Sequence, residues 1–299
     1  MIRPMAQKMA VIDVGSNTVR LLVARRDSSS LVPLHTERIP LPMARDLESG
    51  PCISAENVAA AAEAVRRLCA DARACAAGPI EILVTSPARQ AENGVELVEA
   101  IERSARRPVR VVSAEEEAQL AFAGAVEVAD PGVSLVAVVD LGGASTEIAV
   151  GPPATGPAWI RSLDLGALRL ATRFLAAEHP SPSEVDAARA AVEEAFEGVV
   201  PPLPGVVLAV GGSTRALGRV LGTELGPGEL ETAITILPGC THEQLVRRFE
   251  IGRRRAPLLL AAALILAEVQ RRLVRPLRVS EGGVREGALL LAGREAAAA

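Results

Sequence analysis

Two stretches of this chain repeat one another. MAVIDVGSNTVRLLVA from Met9 reads as an apolar strand, an aspartate, a turn of small polar residues and a second apolar strand, and VVDLGGASTEIAVG from Val138 follows the same order. In register, Asp13 and Asp140 fall in equivalent places, each closing an apolar run just ahead of a glycine. A duplicated strand-turn-strand start implies two copies of one architecture. The segments around it give the class. An alanine-rich helix is expected over 54–77, a short buried strand from Ile80, helical spacing over 94–106 and another strand from Val109. Ser113 and Glu116 form an S-x-x-E capping box that opens the next helix. In the second half, helices are expected over 166–178, 183–197 and 257–273, and VVLAV from Val206 is a buried strand entering the turn GGST. The proline-rich stretches GPPATGP at Gly151 and PPLPG at Pro201 read as loops.

Alternating strands and helices make this an α/β protein, and the repeat makes it two such domains facing a central cleft. The boundary is expected between Ala125 and Gly132, giving an N-terminal domain over 1–125 and a C-terminal one over 126–299. The last helix is free to pack back on the first domain. Ligands are expected in the cleft, where the glycine turns of both halves would converge.

Composition removes several functions. With 299 residues, 49% of them apolar, the chain can bury a sizeable core. The longest apolar run, LLLAAALILAEV from Leu258, falls short of a membrane span and is expected as a buried helix. The basic N-terminus runs through Asp13 into a glycine turn, which does not suit a secretion signal, so a cytoplasmic location is expected. Cys52, Cys69, Cys75 and Cys240 contain no C-x-x-C pair, and His35, His179 and His242 are far apart, which argues against zinc. A net charge of −4 and 2% aromatic residues argue against nucleic-acid binding. Phosphate chemistry remains open, through a metal or local positive charge.

Three turns carry that chemistry: Gly15-Ser16-Asn17-Thr18, Gly142-Gly143-Ala144-Ser145 and Gly211-Gly212-Ser213-Thr214. Glycines and small hydroxyl residues let successive backbone N–H groups point inward and hold an anion without a basic side chain. A strand-end aspartate beside such a turn repels phosphate unless Mg²⁺ lies between them. Asp13 and Asp140 are the candidate ligands, with Glu147 as a further ligand or water holder. The alternative is that each aspartate accepts hydrogen bonds from its own turn. Glu115-Glu116-Glu117 begins a helix, where the dipole favours carboxylates without any function, and spacing leaves undecided which way Glu117 faces. Arg89, in TSPARQAENG, has the fork to clamp a phosphate, although an isolated arginine more often forms a surface ion pair. The clusters Arg253 to Arg255 and Arg271 to Arg278 read as a solvated helix face or as a guide for a polyanion.

Taken in order, IDVGSNTVRLLVA, TSPARQAENG, VSAEEEAQLAFAGA, VVDLGGASTEIAVG, LDLGALRL, VGGSTRALG and VSEGGVREGALLL resemble the exopolyphosphatase and guanosine pentaphosphate phosphohydrolase family. That family has the actin-like, RNase H-like fold of sugar kinases and related ATPases. The resemblance implies Mg²⁺-dependent removal of the terminal phosphate of inorganic polyphosphate, or of the 5′ phosphate of guanosine pentaphosphate. It places the catalytic base that orients water at Glu117, an arginine near the transferred phosphate at Arg89, the metal-associated acidic pair at Asp140 and Glu147, and phosphate loops at the Gly15 and Gly142 turns. It also implies a homodimer.

The chain departs from the family in places. RIPLPMARDLESGPC lacks the usual L-G-E-G, proline replaces aspartate in Arg255-Ala256-Pro257-Leu258-Leu259, and Ala262 takes a glycine position. The extra helical C-terminal region of longer relatives is not in this sequence, which leaves long-chain processivity open. Two other functions follow from these departures and the shared fold: a protein that holds polyphosphate or guanosine tetraphosphate with little turnover, or an ATP-dependent phosphotransferase. Ala144 stands where the family usually has a third glycine, and an ordinary backbone conformation is expected there, with its N–H still available to phosphate.

Overall fold

The computed structural model describes residues 7–27, 30–127 and 133–298. The chain forms two compact units, Met1–Glu127 with Val284–Ala299, and Val128–Gly283. The boundary expected at 125–132 overlaps residues 128–132, which lie outside the described residues.

The first unit begins with β1 (Lys8–Val14), β2 (Thr18–Asp27) and β3 (Ser30–Pro40), an antiparallel run. There follow α1 (Met43–Ser49), α2 (Ala55–Ala74), β4 (Ile80–Val84), α3 (Ser86–Gln90), α4 (Gly94–Ala105), β5 (Arg110–Val111) and α5 (Ala114–Val126). The sheet order is β3-β2-β1-β4-β5, with β4 and β5 parallel to β1. The strand expected from Val109 is only two residues long, because Ser113 already caps α5 and takes the Glu116 N–H on its hydroxyl. The other half of the expected capping box goes elsewhere, since the Glu116 carboxylate pairs with Arg110.

The second unit repeats the plan. Its elements are β6 (Val136–Leu141), β7 (Thr146–Gly151), β8 (Trp159–Leu163), α6 (Ala167–Phe174), α7 (Pro182–Ala195), β9 (Val206–Val210), α8 (Gly212–Leu221), β10 (Glu224–Leu225), α9 (Pro227–Ile236), α10 (His242–Phe249), α11 (Leu259–Leu273) and β11 (Leu277–Val279). Its sheet order is β10-β11-β9-β6-β7-β8: β6, β7 and β8 are antiparallel and β9 and β11 run parallel to β6, matching the first unit, while a short sixth strand, β10, adds antiparallel to β11. The duplication read from the two aspartate turns therefore extends to both sheets. The helix expected over 166–178 stops at Phe174, ahead of the E-H-P-S-P stretch. The final helix, α12 (Val284–Ala298), belongs to the first unit.

Alternation within each strand separates core from site. Ala10, Ile12 and Val14 join the core beneath α2 and α4, so Val11 and Asp13 point to the opposite face of the sheet, where α12 packs. Ala137, Val139 and Leu141 do the same in the second core and leave Asp140 on the far face. That second core is organised around α11. Every residue from Leu259 to Leu266 is buried, and α6, α7, α8 and α9 all pack on this helix. The long apolar run is thus the central helix of the second core, and no helix among the described residues is long and apolar enough to cross a membrane.

Candidate functional site

The parallel strands of the first unit finish along one edge, where Thr85 N–H donates to Val14 O (3.2 Å) and Val112 N–H to Val84 O (2.9 Å). Each strand hands over to a candidate at this edge: β1 to the Gly15 turn, β4 to α3 with Arg89, and β5 to α5 with Glu117. The C-terminal ends of parallel strands are the usual seat of ligands in α/β sheets. In the turn, Gly15 N–H donates to Thr18 O at 3.1 Å, while Ser16 O and Asn17 O accept from Ala44 and Leu41 at 2.8 and 2.9 Å. The carbonyls are thus spent, and the Ser16 and Asn17 N–H groups have no acceptor among the described residues. Asn17 Nδ2 is also buried without a partner. Leaving a buried donor unmatched costs about 1–3 kcal/mol, so this turn favours an incoming acceptor such as an anion.

Arg89 donates from Nη1 to Val112 O (2.5 Å) and from Nη2 to Glu117 Oε2 (2.9 Å). The side chains are 21% and 12% exposed, so this is a sheltered pair rather than the surface ion pair that an isolated arginine suggests. The helix settles what spacing left open: Glu117 turns toward Arg89, Glu115 stays exposed and Glu116 pairs with Arg110. Two of the five guanidinium donors of Arg89 are accounted for in this way, and the rest remain for another acceptor.

The second unit divides its turn in the same way. Gly142 N–H donates to Ser145 O at 3.0 Å. Gly142 O accepts from Ala167, and Gly143 O from Leu168 and Arg169, at 3.0, 2.9 and 3.1 Å. The Gly143 and Ala144 N–H groups have no acceptor among the described residues. Among those residues the non-glycine positions with positive φ are Ala76, Arg106, Glu250 and Val274, so Ala144 keeps an ordinary backbone as expected. In the third turn Gly211 does need to be glycine. Its φ is +107°, and a Cβ there would lie 2.4 Å from Leu141 O and 3.3 Å from Asp140 Oδ1. This close approach sets the start of α8 beside Asp140. Ser213 and Thr214 are buried there, Thr214 Oγ1 has no partner, and the Arg255 guanidinium lies over Gly212 and donates to Ser213 Oγ at 3.1 Å.

Strand register shows how the two copies differ. Asp13 pairs with Arg20 and then Arg38 across β1, β2 and β3, whereas Asp140 pairs with Glu147 and then Ser162 across β6, β7 and β8. The first row sets an acid opposite arginines. Burial raises the Asp13 carboxyl above its usual range, Glu286 adds to this, and the nearby Arg20 and Arg285 oppose it. No hydrogen bond from its own turn reaches Asp13 among the described residues, so the turn-acceptor alternative fails there. The second row sets two acids face to face, with Glu147 only 2% exposed and its Oε1 accepting from Ser162 Oγ at 3.0 Å. Like charges directly opposite one another in a sheet are destabilising where nothing offsets them. No group of three or more acidic, histidine or cysteine side chains that could hold a metal occurs among the described residues. Mg²⁺ in phosphate sites commonly takes one or two carboxylates and completes its shell with water and phosphate, so the Asp140–Glu147 pair suits it. Asp13 is flanked by the Arg20 and Arg285 guanidinium groups.

Ser162, Arg20 and Arg285 were not singled out as site residues by the sequence, and Arg255 was read only as part of an arginine cluster. Counting register from Asp140 through Glu147 would have reached Ser162. No local pattern could bring Arg255 to Gly212 or Arg285 to Asp13.

A model of the Ppx/GppA phosphatase family matches residues 22–292. An uncharacterised protein of Streptomyces coelicolor is 32% identical over 229 residues, which is 73% of this chain and 67% of that protein. The crystal structure of the Aquifex aeolicus Ppx/GppA family member is similar with a TM-score of 0.83 at 22% identity, covering 97% of this chain and 98% of its own. An exopolyphosphatase from Cytophaga hutchinsonii gives a TM-score of 0.84 at 19% identity, covering 96% and 97%. At such identities the structural likeness speaks for the fold, two α/β units of the actin-like class, each with the sheet order described above. With the family model spanning most of its length, the chain belongs to the Ppx/GppA phosphatase family.

Proposed function

We propose that this protein hydrolyses the terminal phosphoanhydride bond of inorganic polyphosphate, with guanosine pentaphosphate as a second substrate, and that it uses Mg²⁺. One juxtaposition carries the proposal. A turn with uncommitted amides and an orphaned Asn17 Nδ2 shares its sheet edge with the Arg89–Glu117 pair. Phosphoryl transfer needs little covalent help, so positioning and charge neutralisation supply most of the rate.

In this reading Glu117 holds the attacking water and takes its proton at a carboxylate oxygen. Arg89 orients Glu117 through Nη2 and offers its remaining donors to the transferred phosphate. The N–H groups of Ser16, Asn17, Gly143 and Ala144 bind phosphate oxygens. Thr18 and Ser145 supply the carbonyls that hold the two turns closed through Gly15 and Gly142. The third turn, Gly211 to Ser213, adds the start of α8 as a further anion site, with Arg255 above it. Asp140 and Glu147 would hold Mg²⁺, with Asp13 as a lesser candidate, and the ion would neutralise charge on the phosphates.

The test is phosphate release from polyphosphates of defined length and from guanosine pentaphosphate, with and without Mg²⁺, for wild type and Glu117→Gln. Mg²⁺-dependent release by wild type with a loss of about 100-fold or more in the variant is expected. Equal rates for the two proteins would remove Glu117 from its role. Tight binding without release by wild type would instead mark a sensor, and transfer from ATP to a small alcohol would mark a phosphotransferase.

A further inference from the structure

On the second unit, away from the turns, the end of α8, α9, the 3-10 turn Leu237–Gly239 and α10 enclose an open cleft of about 960 Å³. Its walls are apolar: Val220 and Leu221 close α8, Ile236 closes α9, and Leu245 and Phe249 come from α10. Leu237 and Leu245 are buried and join the floor of the cleft to the core around α11. Ile236, by contrast, is 46% exposed, which is unusual for a large aliphatic side chain in a concave wall.

Apart from two arginines, the polar residues of the lining each make a hydrogen bond within their own helix or its cap. Thr232 Oγ1 donates to Gly228 O (2.7 Å), Glu229 Oε2 accepts from Gly226 N–H (3.1 Å), and Gln244 Oε1 accepts from Thr241 N–H (2.9 Å). The two arginines are Arg247 and Arg248, in the last turn of α10. Arg247 pairs with Glu243 on the exposed side of that helix, while Arg248 lies 5.3 Å from the Phe249 ring centroid. Glu229 is the only acid in the lining, and its carboxylate is turned back on Gly226. The two cations of the lining are neighbours in the last turn of α10, just ahead of Glu250, whose O accepts from the Arg219 side chain at 2.8 Å.

We infer that this cleft binds a single-chain amphiphile with an anionic head, its chain along Ile236, Val220 and Leu221 and its head at Arg247 and Arg248. Volume, apolar walls and a few placed polar groups together describe a small-molecule site, and the neighbouring cations set the polarity of the guest. The site is independent of the phosphate chemistry proposed for the turns.

The test titrates the intact protein with a fluorescent long-chain carboxylate and with its methyl ester. Wild type should bind the acid saturably and prefer it to the ester. Ile236→Glu, a change at an exposed position that fold stability should tolerate, places a charge in the chain path and should weaken the acid about tenfold or more. Replacing Arg247 and Arg248 with Gln should bring the acid and ester to equal affinity while leaving ester binding in place. Absence of saturable binding, or binding that Ile236→Glu leaves unchanged, overturns the inference. So does a wild-type dimer that Ile236→Glu converts to monomer with no probe bound, which would give the cleft to a second copy of the chain.

Discussion

Arg89 and Glu117 meet at 2.9 Å, Nη2 to Oε2, with the other arm of the guanidinium on Val112 O. Val112 is followed directly by Ser113, the cap of the helix that carries Glu117. The arginine therefore braces both the start of α5 and the carboxylate that projects from it. A water held by Glu117 would have its position set by Arg89 even before any phosphate contact.

Because the two residues form one unit, their losses should not add. Arg89→Ala and Glu117→Gln are each expected to lower kcat for polyphosphate about 100-fold or more, with the double variant little worse than the weaker single one. Arg89→Lys should recover only part of the activity, since an ammonium cannot bridge Val112 O and Glu117 in a fork. Steady-state kinetics on wild type and the four variants decides the point. Fully multiplicative losses would mean that the pair seen in the structure plays no part in turnover.

The facing acids of the second sheet make a separate prediction about metal. Asp140→Asn and Glu147→Gln should each raise the Mg²⁺ concentration needed for half-maximal activity about tenfold or more, and should reduce Mg²⁺ binding measured calorimetrically on the resting protein. Ser162→Ala, which removes only the hydrogen bond to Glu147 Oε1, should shift the same curve in the same direction by a smaller factor. Metal curves that coincide with wild type would take the pair out of the metal site.

How far these sites could be read ahead of the fold depends on the range over which each contact is made. Asp13, Asp140 and the three turns stood out because a strand, its acid and its glycine lie within one short stretch of sequence. The duplicated sheets followed from the same repeat, and Ala144 kept its expected backbone because the turn closes through Gly142 and Ser145 instead. The face chosen by Glu117 was not legible, because it depends on Arg89 arriving from 28 residues away. Nor was the contrast between Arg20 and Glu147, which matters only once register sets each opposite its aspartate. The final helix joins the first unit through contacts more than 260 residues apart, such as Arg285 with Leu21 O.

A local cap gives a pH-dependent prediction. Asp46 Oδ2 accepts from Ser54 N–H, Ser54 Oγ and Asn57 Nδ2 at 2.8, 2.7 and 2.7 Å, tying α1 to the start of α2. Burial pushes this carboxyl up, but the hydrogen bonds outweigh it and leave it below its usual value of 3.8. A carboxylate held lower in the folded state adds stability above its unfolded pKa and loses it as pH falls through the folded one. Asp46→Asn should therefore cost about 1 kcal/mol at pH 7, with the deficit shrinking below pH 3.8 as wild type loses its own advantage. Urea unfolding at pH 7 and pH 3 measures both points, and a deficit that is constant with pH would assign the loss to packing instead of charge.

The packing of α12 on α5 yields the most local test of how the site is supported. A Cβ on Gly287 would lie 1.9 Å from Leu120 O, one turn along the helix that carries Glu117. The two helices approach this closely only because position 287 has no side chain. Next to this contact, Arg285 donates to Leu21 O at 3.3 Å, which ties α12 to β2. Gly287→Ala must then shift α5 or α12, at a cost of about 1–3 kcal/mol in unfolding free energy. If α5 shifts as a body, Glu117 leaves its place beside Arg89, and kcat for polyphosphate should fall at temperatures where the variant is still fully folded. Full activity in a destabilised but folded variant would show that the strain is absorbed within α12 before it reaches Glu117.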